Sequence, residues 1–222
     1  MKNCLRKFKI NENGFTLAEV LITLVIIGVI AAMTIPTLIN KTQNQEFVSR
    51  LKKSYSTLAQ VTTQIVADRG APINWVTSTD DIYNLYKSKL INVKDCGPDS
   101  GCFEQTIKYL NGSVFSSAWN TGSYHRRVIM GDGTQLLFGG ASTDFSAECS
   151  LQKYGSNNVC QSIFVDVNGN KNPNTFGKDI FCFLLTENGL FPAGYEQETY
   201  CSKTSSGYDC AARVLRENAI NY

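Results

Sequence analysis

The sequence holds a single histidine among 222 residues. That disfavours a His-rich metal site or His-based catalysis, since both need the residue in company or beside a matched nucleophile. Net charge is also scarce: 21 Lys and Arg against 19 Asp and Glu leave +2, too little for a nucleic-acid or anionic-membrane binder that works by bulk attraction. No two cysteines have the C-x-x-C spacing of a zinc site, and there is no internal repeat or low-complexity tract.

What charge there is lies unevenly. Lys2, Arg6, Lys7 and Lys9 stand in the first fourteen residues with Glu12 as the one acid among them, a local +3, and the remaining 208 residues hold 17 basic and 18 acidic side chains. A composition that is 43% hydrophobic and 18% charged is that of a globular chain. Eight cysteines are many for a cytosolic protein of this size and ordinary for an exported one stapled by disulfides.

From Val20 to Ile39 the chain carries no charge. As a helix rising about 1.5 Å per residue this run covers roughly 30 Å, the hydrocarbon thickness of a bilayer. Basic residues before it hold the N-terminus in the cytoplasm and place everything after Ile39 outside. A cleaved secretory signal would find a small-residue site at Val29-Ile30-Ala31, yet the apolar run continues past it. A plain anchor leaves Glu19 unexplained, because an acid at the lip of an apolar span is costly and by default has a partner.

Gly14-Phe15-Thr16-Leu17-Ala18-Glu19-Val20-Leu21, with a basic leader before it and an apolar helix after it, resembles the N-terminal processing motif of type IV pilins and of type II secretion pseudopilins. The resemblance implies that a membrane aspartyl peptidase cuts between Gly14 and Phe15 and methylates the new amine of Phe15. It also implies that Glu19 is the assembly acid, meeting the Phe15 amine of a neighbouring subunit. The chemistry agrees: glycine offers an unhindered scissile bond, the new cation lies one helical turn from Glu19, and an acid in the first turn complements the helix dipole. Pro36, which family members place similarly, removes one backbone hydrogen bond and should kink or locally melt the helix, or end its membrane part.

Beyond the span, Phe47, Leu51, Tyr55, Leu58, Thr62 and Ile65 recur at steps of four and three, with Lys52, Lys53, Ser56 and Gln60 mostly off that stripe. Asp68-Arg69-Gly70 supplies a stop. A second helix is expected over about 77–92, with Asp80 as its cap and Ile82, Leu85, Tyr86 and Leu90 on one face. Strands are expected at 126–130 and 134–138 around the Gly131-Asp132-Gly133 turn, at 162–167, and at 180–185 before Asn188-Gly189. An antiparallel sheet laid on the helical stripe gives an α+β chain with the roll architecture of pilins. The expected divisions are a cleaved leader 1–14, a membrane and assembly helix 15–40, its amphipathic continuation 41–68 and an extracytoplasmic globular domain 69–222.

Cys4 leaves with the leader. Local spacing favours the pairs Cys96–Cys102, Cys149–Cys160 and Cys201–Cys210, each closing a short loop, with Cys182 left as a buried free thiol on a strand. In the oxygen-rich segment 164–179, Asp166, Asn168 and Asn170 have the i, i+2, i+4 rhythm of a calcium loop, and Asp179 is a fourth candidate ligand. Gly169 comes two places early for an EF-hand and no glutamate follows, so turn-forming Asn and Gly account for the composition equally well. Some pseudopilins carry calcium in this general region. His125-Arg126-Arg127 reads as a solvated strand start, and Asn111-Gly112-Ser113 as a turn or a glycosylation acceptor.

These features point to a non-enzymatic structural subunit of a type IV pilus-like filament or of a type II secretion pseudopilus. It would lie in the inner membrane as a single-pass protein and then in a filament in the periplasm or on the cell surface. Its partners would be identical or related pilin subunits, the prepilin peptidase and an inner-membrane assembly platform, with no nucleic acid. The other reading is a membrane-tethered extracytoplasmic binding domain that never polymerises.

Overall fold

The computed structural model describes residues 14–72, 75, 78–91, 93–97, 102–103, 105–115, 125–139, 152–154 and 157–222. The leader up to residue 13, Cys4 included, lies outside the described residues. The chain divides into two compact units, the first ending at Thr42 and the second running Gln43–Tyr222.

In the first unit, every described residue from Gly14 onward is exposed save Ala31, which is half-buried. Helix α1 (Leu17–Arg69) begins here and is the one described helix long and apolar enough to cross a membrane by length and composition. The expected stop holds: α1 ends at Arg69, and Gly70, in the left-handed region at φ 80°, donates its N–H to Val66 O at 2.8 Å.

The second unit takes in the rest of α1, whose Phe47, Val48, Leu51, Leu58, Val61 and Ile65 are buried while Lys52, Lys53, Ser56 and Gln60 are exposed. Thr62 on the same face is buried because its hydroxyl donates to Leu58 O at 2.7 Å and meets the Tyr86 hydroxyl at 2.6 Å. Tyr55 is half-buried and stacks on Phe183 with ring centroids 5.5 Å apart.

Helix α2 (Thr79–Lys89) is shorter than expected, and Ser78 caps it in place of Asp80. Ser78 Oγ accepts from Asp81 N at 3.3 Å and donates to Asp81 Oδ2 at 2.6 Å, so serine with an acid three residues on wins the cap position. Tyr83 joins Ile82 and Tyr86 in the core, whereas Leu85 is half-buried.

Among the described residues, seven strands form one antiparallel sheet: β1 (Lys94–Gly97), β2 (Arg126–Ile129), β3 (Gln135–Phe138), β4 (Gln152–Tyr154), β5 (Asn157–Asp166), β6 (Ile180–Thr186) and β7 (Gly189–Pro192). Their order is β1-β2-β3-β5-β6-β7, with β4 paired to β5 off that path. The 131–133 turn joins β2 to β3 as expected, and the Asn188-Gly189 turn joins β6 to β7. The strand expected at 162–167 is β5, which starts at Asn157, earlier than its apolar run suggests.

The pleat sorts side chains onto two cores. Val128, Leu136, Phe138, Ile163, Val165, Phe181, Phe183 and Leu185 pack with α1 and α2. Leu137, Phe164, Ile180, Cys182 and Leu184 face the other way, where Phe103, Ile107, Phe115 and Phe176 cover them. Both faces of β6 are therefore buried, which is why its sequence reads as an unbroken apolar run instead of an alternation. This is the α+β arrangement expected, with a second core on the far face of the sheet.

Cys96–Cys102 and Cys201–Cys210 are bonded as expected, and Cys182 is a free, buried thiol whose titration burial pushes up. Cys160 is disulfide-bonded, while Cys149 lies outside the described residues. Cys210 opens α3 (Cys210–Glu217). Asn111 Oδ1 accepts from Ser113 N at 3.0 Å and Oγ at 2.7 Å, an Asx turn.

Candidate functional site

The start of α1 is built from very few polar groups. Leu17 is the first helical residue, which puts Thr16 at the N-cap and Glu19 at the third helical position. Thr16 N and Thr16 Oγ1 both donate to Glu19 Oε2 at 2.8 Å, and Glu19 N donates back to Thr16 Oγ1 at 3.2 Å. This is a reciprocal capping box. Thr16 is thus a participant that the motif-based reading passed over, although T-x-x-E before an apolar run is its sequence signature. Around it Phe15 is 86% and Leu17 80% exposed. A Cβ added at Gly14 would meet nothing within 4 Å, so no contact with the described residues demands glycine there.

α1 runs through Pro36 without interruption, so the helix neither melts nor stops at that residue. The Ala32 carbonyl loses its i+4 donor there. The lost bond is a single one, and neighbouring turns stay intact. Thr34 Oγ1 adds a bond to Ile30 O at 2.9 Å.

The second candidate lies where β5 runs into the loop that returns to β6. Asp166 and Asp179 are both fully buried. Asp166 Oδ2 accepts from Gln105 Nε2 at 2.9 Å and Oδ1 from Asn168 N at 3.2 Å. Asp179 accepts from Thr175 N at 2.6 Å and Asn174 N at 2.8 Å. Burial raises the Asp166 carboxyl well above the usual range and the charge of Asp179 raises it further. Burial likewise pushes Asp179 up to about 6, against the backbone N–H groups of Thr175 and Asn174 that favour its charged form. Asn168 donates through Nδ2 to Lys171 O and Asn172 O, both at 3.1 Å, which leaves its Oδ1 buried without a partner. Gln105 Oε1 and Asn174 Oδ1 are likewise buried and unpartnered.

Asn170 does not join this group. It is exposed, and its Oδ1 accepts from Gln135 Nε2 at 2.8 Å. Asn174 and Gln105 take its place beside the two acids. Gln105 is brought in from 61 residues away along the chain, and no local pattern announces that. No cluster of three or more His, Cys, Asp or Glu side chains able to hold a metal occurs among the described residues.

The solvated strand start expected at His125-Arg126-Arg127 is corrected. Arg127 is fully buried and His125 is 9% exposed. β2 lies inside the sheet, paired on both sides, and Arg127 stands opposite Leu137 of the second core. Burial, then the charges of Arg127 and Arg126, holds the His125 imidazole below its ordinary pKa, and its Nδ1 has no partner. Arg126 is half-buried and pairs with Asp80 at 2.5 and 2.8 Å. No exposed basic patch results.

Residues 37–218 match the model of a family of unknown function, DUF6613. Residues 9–35 match the prokaryotic N-terminal methylation motif. No curated protein and no solved structure matches the chain.

Proposed function

Because the chain belongs to the family of unknown function DUF6613 and bears the N-terminal methylation motif that is the signature of type IV pilins and pseudopilins, we propose that it is a non-enzymatic filament subunit assembled through α1. The prepilin peptidase cuts the Gly14–Phe15 bond and methylates Phe15. The subunit waits as a single-pass inner-membrane protein with its second unit outside, until an assembly platform draws it into a filament in the periplasm or on the surface. The observation that carries this reading is the apolar half of α1, whose side chains the described chain leaves exposed, with one acid at its head. Lipid covers such a surface before assembly, and the helices of other subunits cover it afterwards. Glu19 then pairs with the Phe15 amine of a neighbour, and that charged pair sets the register of helices that could otherwise slide.

The test is Glu19→Ala in the full chain, expressed with a prepilin peptidase and an assembly system. Filaments should disappear while mass spectrometry still finds a methylated Phe15 start. Normal filaments from this variant, or an intact Gly14–Phe15 bond in the mature wild type, would sink the reading; the latter would favour the tethered binding domain.

The loop between β5 and β6 supports a calcium site. Oxygen donors alone gather there, two carboxylates and the unpartnered amide oxygens of Asn168 and Asn174 from the loop and of Gln105 from outside it, and that suits a hard divalent cation. Asp166, Asp179, Asn168 and Asn174 would hold the ion, with Gln105 beside them. The bound cation would offset two buried negative charges and tie the loop to the sheet. Calcium added to chelator-treated full chain in detergent should raise its melting temperature saturably, and Asp179→Asn should abolish that response. No shift in the wild type at millimolar calcium would refute the site.

A further inference from the structure

The assembly reading uses Glu19 but gives Thr16 no task, and the geometry does. Two donors of Thr16, its backbone N–H and its hydroxyl, converge on one oxygen of the Glu19 carboxylate, and the hydroxyl oxygen takes the Glu19 N–H in return. We infer that Thr16 is the positioning residue for Glu19: it folds the carboxylate back over the first turn of α1 and holds it beside the place where cleavage uncovers the Phe15 amine.

The chain itself sets that distance. Thr16 N is the next backbone nitrogen after that of Phe15, and consecutive Cα atoms are about 3.8 Å apart. A carboxylate bonded to Thr16 N is therefore within one residue's reach of the Phe15 amine. Among the described residues, no other side chain nearby can do this work. From Phe15 to Val25 the only further hydroxyl is that of Thr23, which is committed to Val20 O at 2.9 Å. Glutamate is rich in rotamers, and an interaction that fixes one before assembly removes that ordering cost from the assembly step.

Ordering one such side chain corresponds to about a three- to tenfold change in an equilibrium. The inference rests on the assembly role of Glu19 proposed above, so the experiment separates the two. In the full chain, expressed with peptidase and assembly system, Thr16→Val keeps the side-chain shape and removes the hydroxyl, Thr16→Ser restores the hydroxyl, and Thr16→Asp supplies a helix cap without a hydroxyl donor. Thr16→Val should be cut after Gly14 like the wild type, by N-terminal mass, yet yield about three- to tenfold fewer filaments. Thr16→Ser should recover the yield, and Thr16→Asp should not.

Full yield from Thr16→Val while Glu19→Ala gives none would overturn the role of Thr16 and leave that of Glu19 standing. Recovery by Thr16→Asp would reduce Thr16 to a helix cap and overturn the inference. Failure of Thr16→Val to be cut would assign the residue to peptidase recognition and overturn it as well. Normal filaments from Glu19→Ala would remove the premise itself.

Discussion

Leu58 sits on the buried face of α1 with no exposed surface, in the core that joins the helix to the sheet. Truncating it to alanine removes the transfer free energy of three carbons and leaves a hole. Leu→Ala changes in rigid cores cost about 3–5 kcal/mol, the upper end where the walls cannot close in. The walls here are stiff: Thr62 is bonded to Tyr86 at 2.6 Å one turn on, and Tyr55 is stacked on Phe183 one turn back. We therefore expect about 4 kcal/mol for Leu58→Ala, a large share of the 5–15 kcal/mol that holds a typical domain together. Urea unfolding of the full chain in detergent, followed by tryptophan fluorescence, measures it, since Trp75 is buried in the same core. The control is Leu24→Ala, which removes a side chain 59% exposed and should change the same transition by less than about 0.5 kcal/mol. A Leu58→Ala cost below about 1 kcal/mol with an unchanged m-value would refute the claim that the second half of α1 is the spine of the second unit.

Gly207 has φ 88°, and a Cβ there would stand 2.6 Å from Phe176 O and 2.9 Å from Leu110 Cβ, so Gly207→Ala should cost about 1–3 kcal/mol in the same assay. Reducing Cys201–Cys210, which spans 9 residues of sequence, should lower stability by about 2–3 kcal/mol; the double serine variant, compared with oxidised and reduced wild type, checks this. Burial pushes the Asp132 carboxyl up, but Lys53 at 2.6 Å and the Thr134 N–H outweigh it, so its folded pKa lies below the ordinary value. The pair's stabilisation is therefore present above about pH 4 and lost as pH falls through the folded pKa. The partners are 63% and 29% exposed, so Lys53→Ala should cost at most about 0.5 kcal/mol at pH 7, and that cost should shrink in urea titrations as pH falls through the folded pKa of Asp132.

The legible parts of this molecule are those whose cause lies within a few residues. The i, i+3, i+4 stripe of α1 marks its buried face because helical pitch is a local property. The Gly131-Asp132-Gly133 turn marks a hairpin for the same reason, and short loops bring Cys96 to Cys102 and Cys201 to Cys210. The cap of α2 is equally local, yet it is not Asp80, since serine at 78 and aspartate at 81 outcompete it by reciprocal bonding. Thr16 is legible as half of a T-x-x-E box, whose two ends lie within one helical turn.

The sequence by itself determined the helix, its apolar half, the acid at its head and the glycine before Phe15. These follow from periodicity and from the cost of charge near a bilayer, neither of which needs a fold. Only the tertiary structure decided which polar groups bond the buried acids. It turned Asn170 to Gln135 and brought Asn174 and Gln105 to the acids, because chain reversal after β5 and a contact 61 residues distant place them. It likewise buried Arg127, which a run of basic residues had marked as solvated. A strand's place in the sheet order is set by its partners, and partners are distant in sequence.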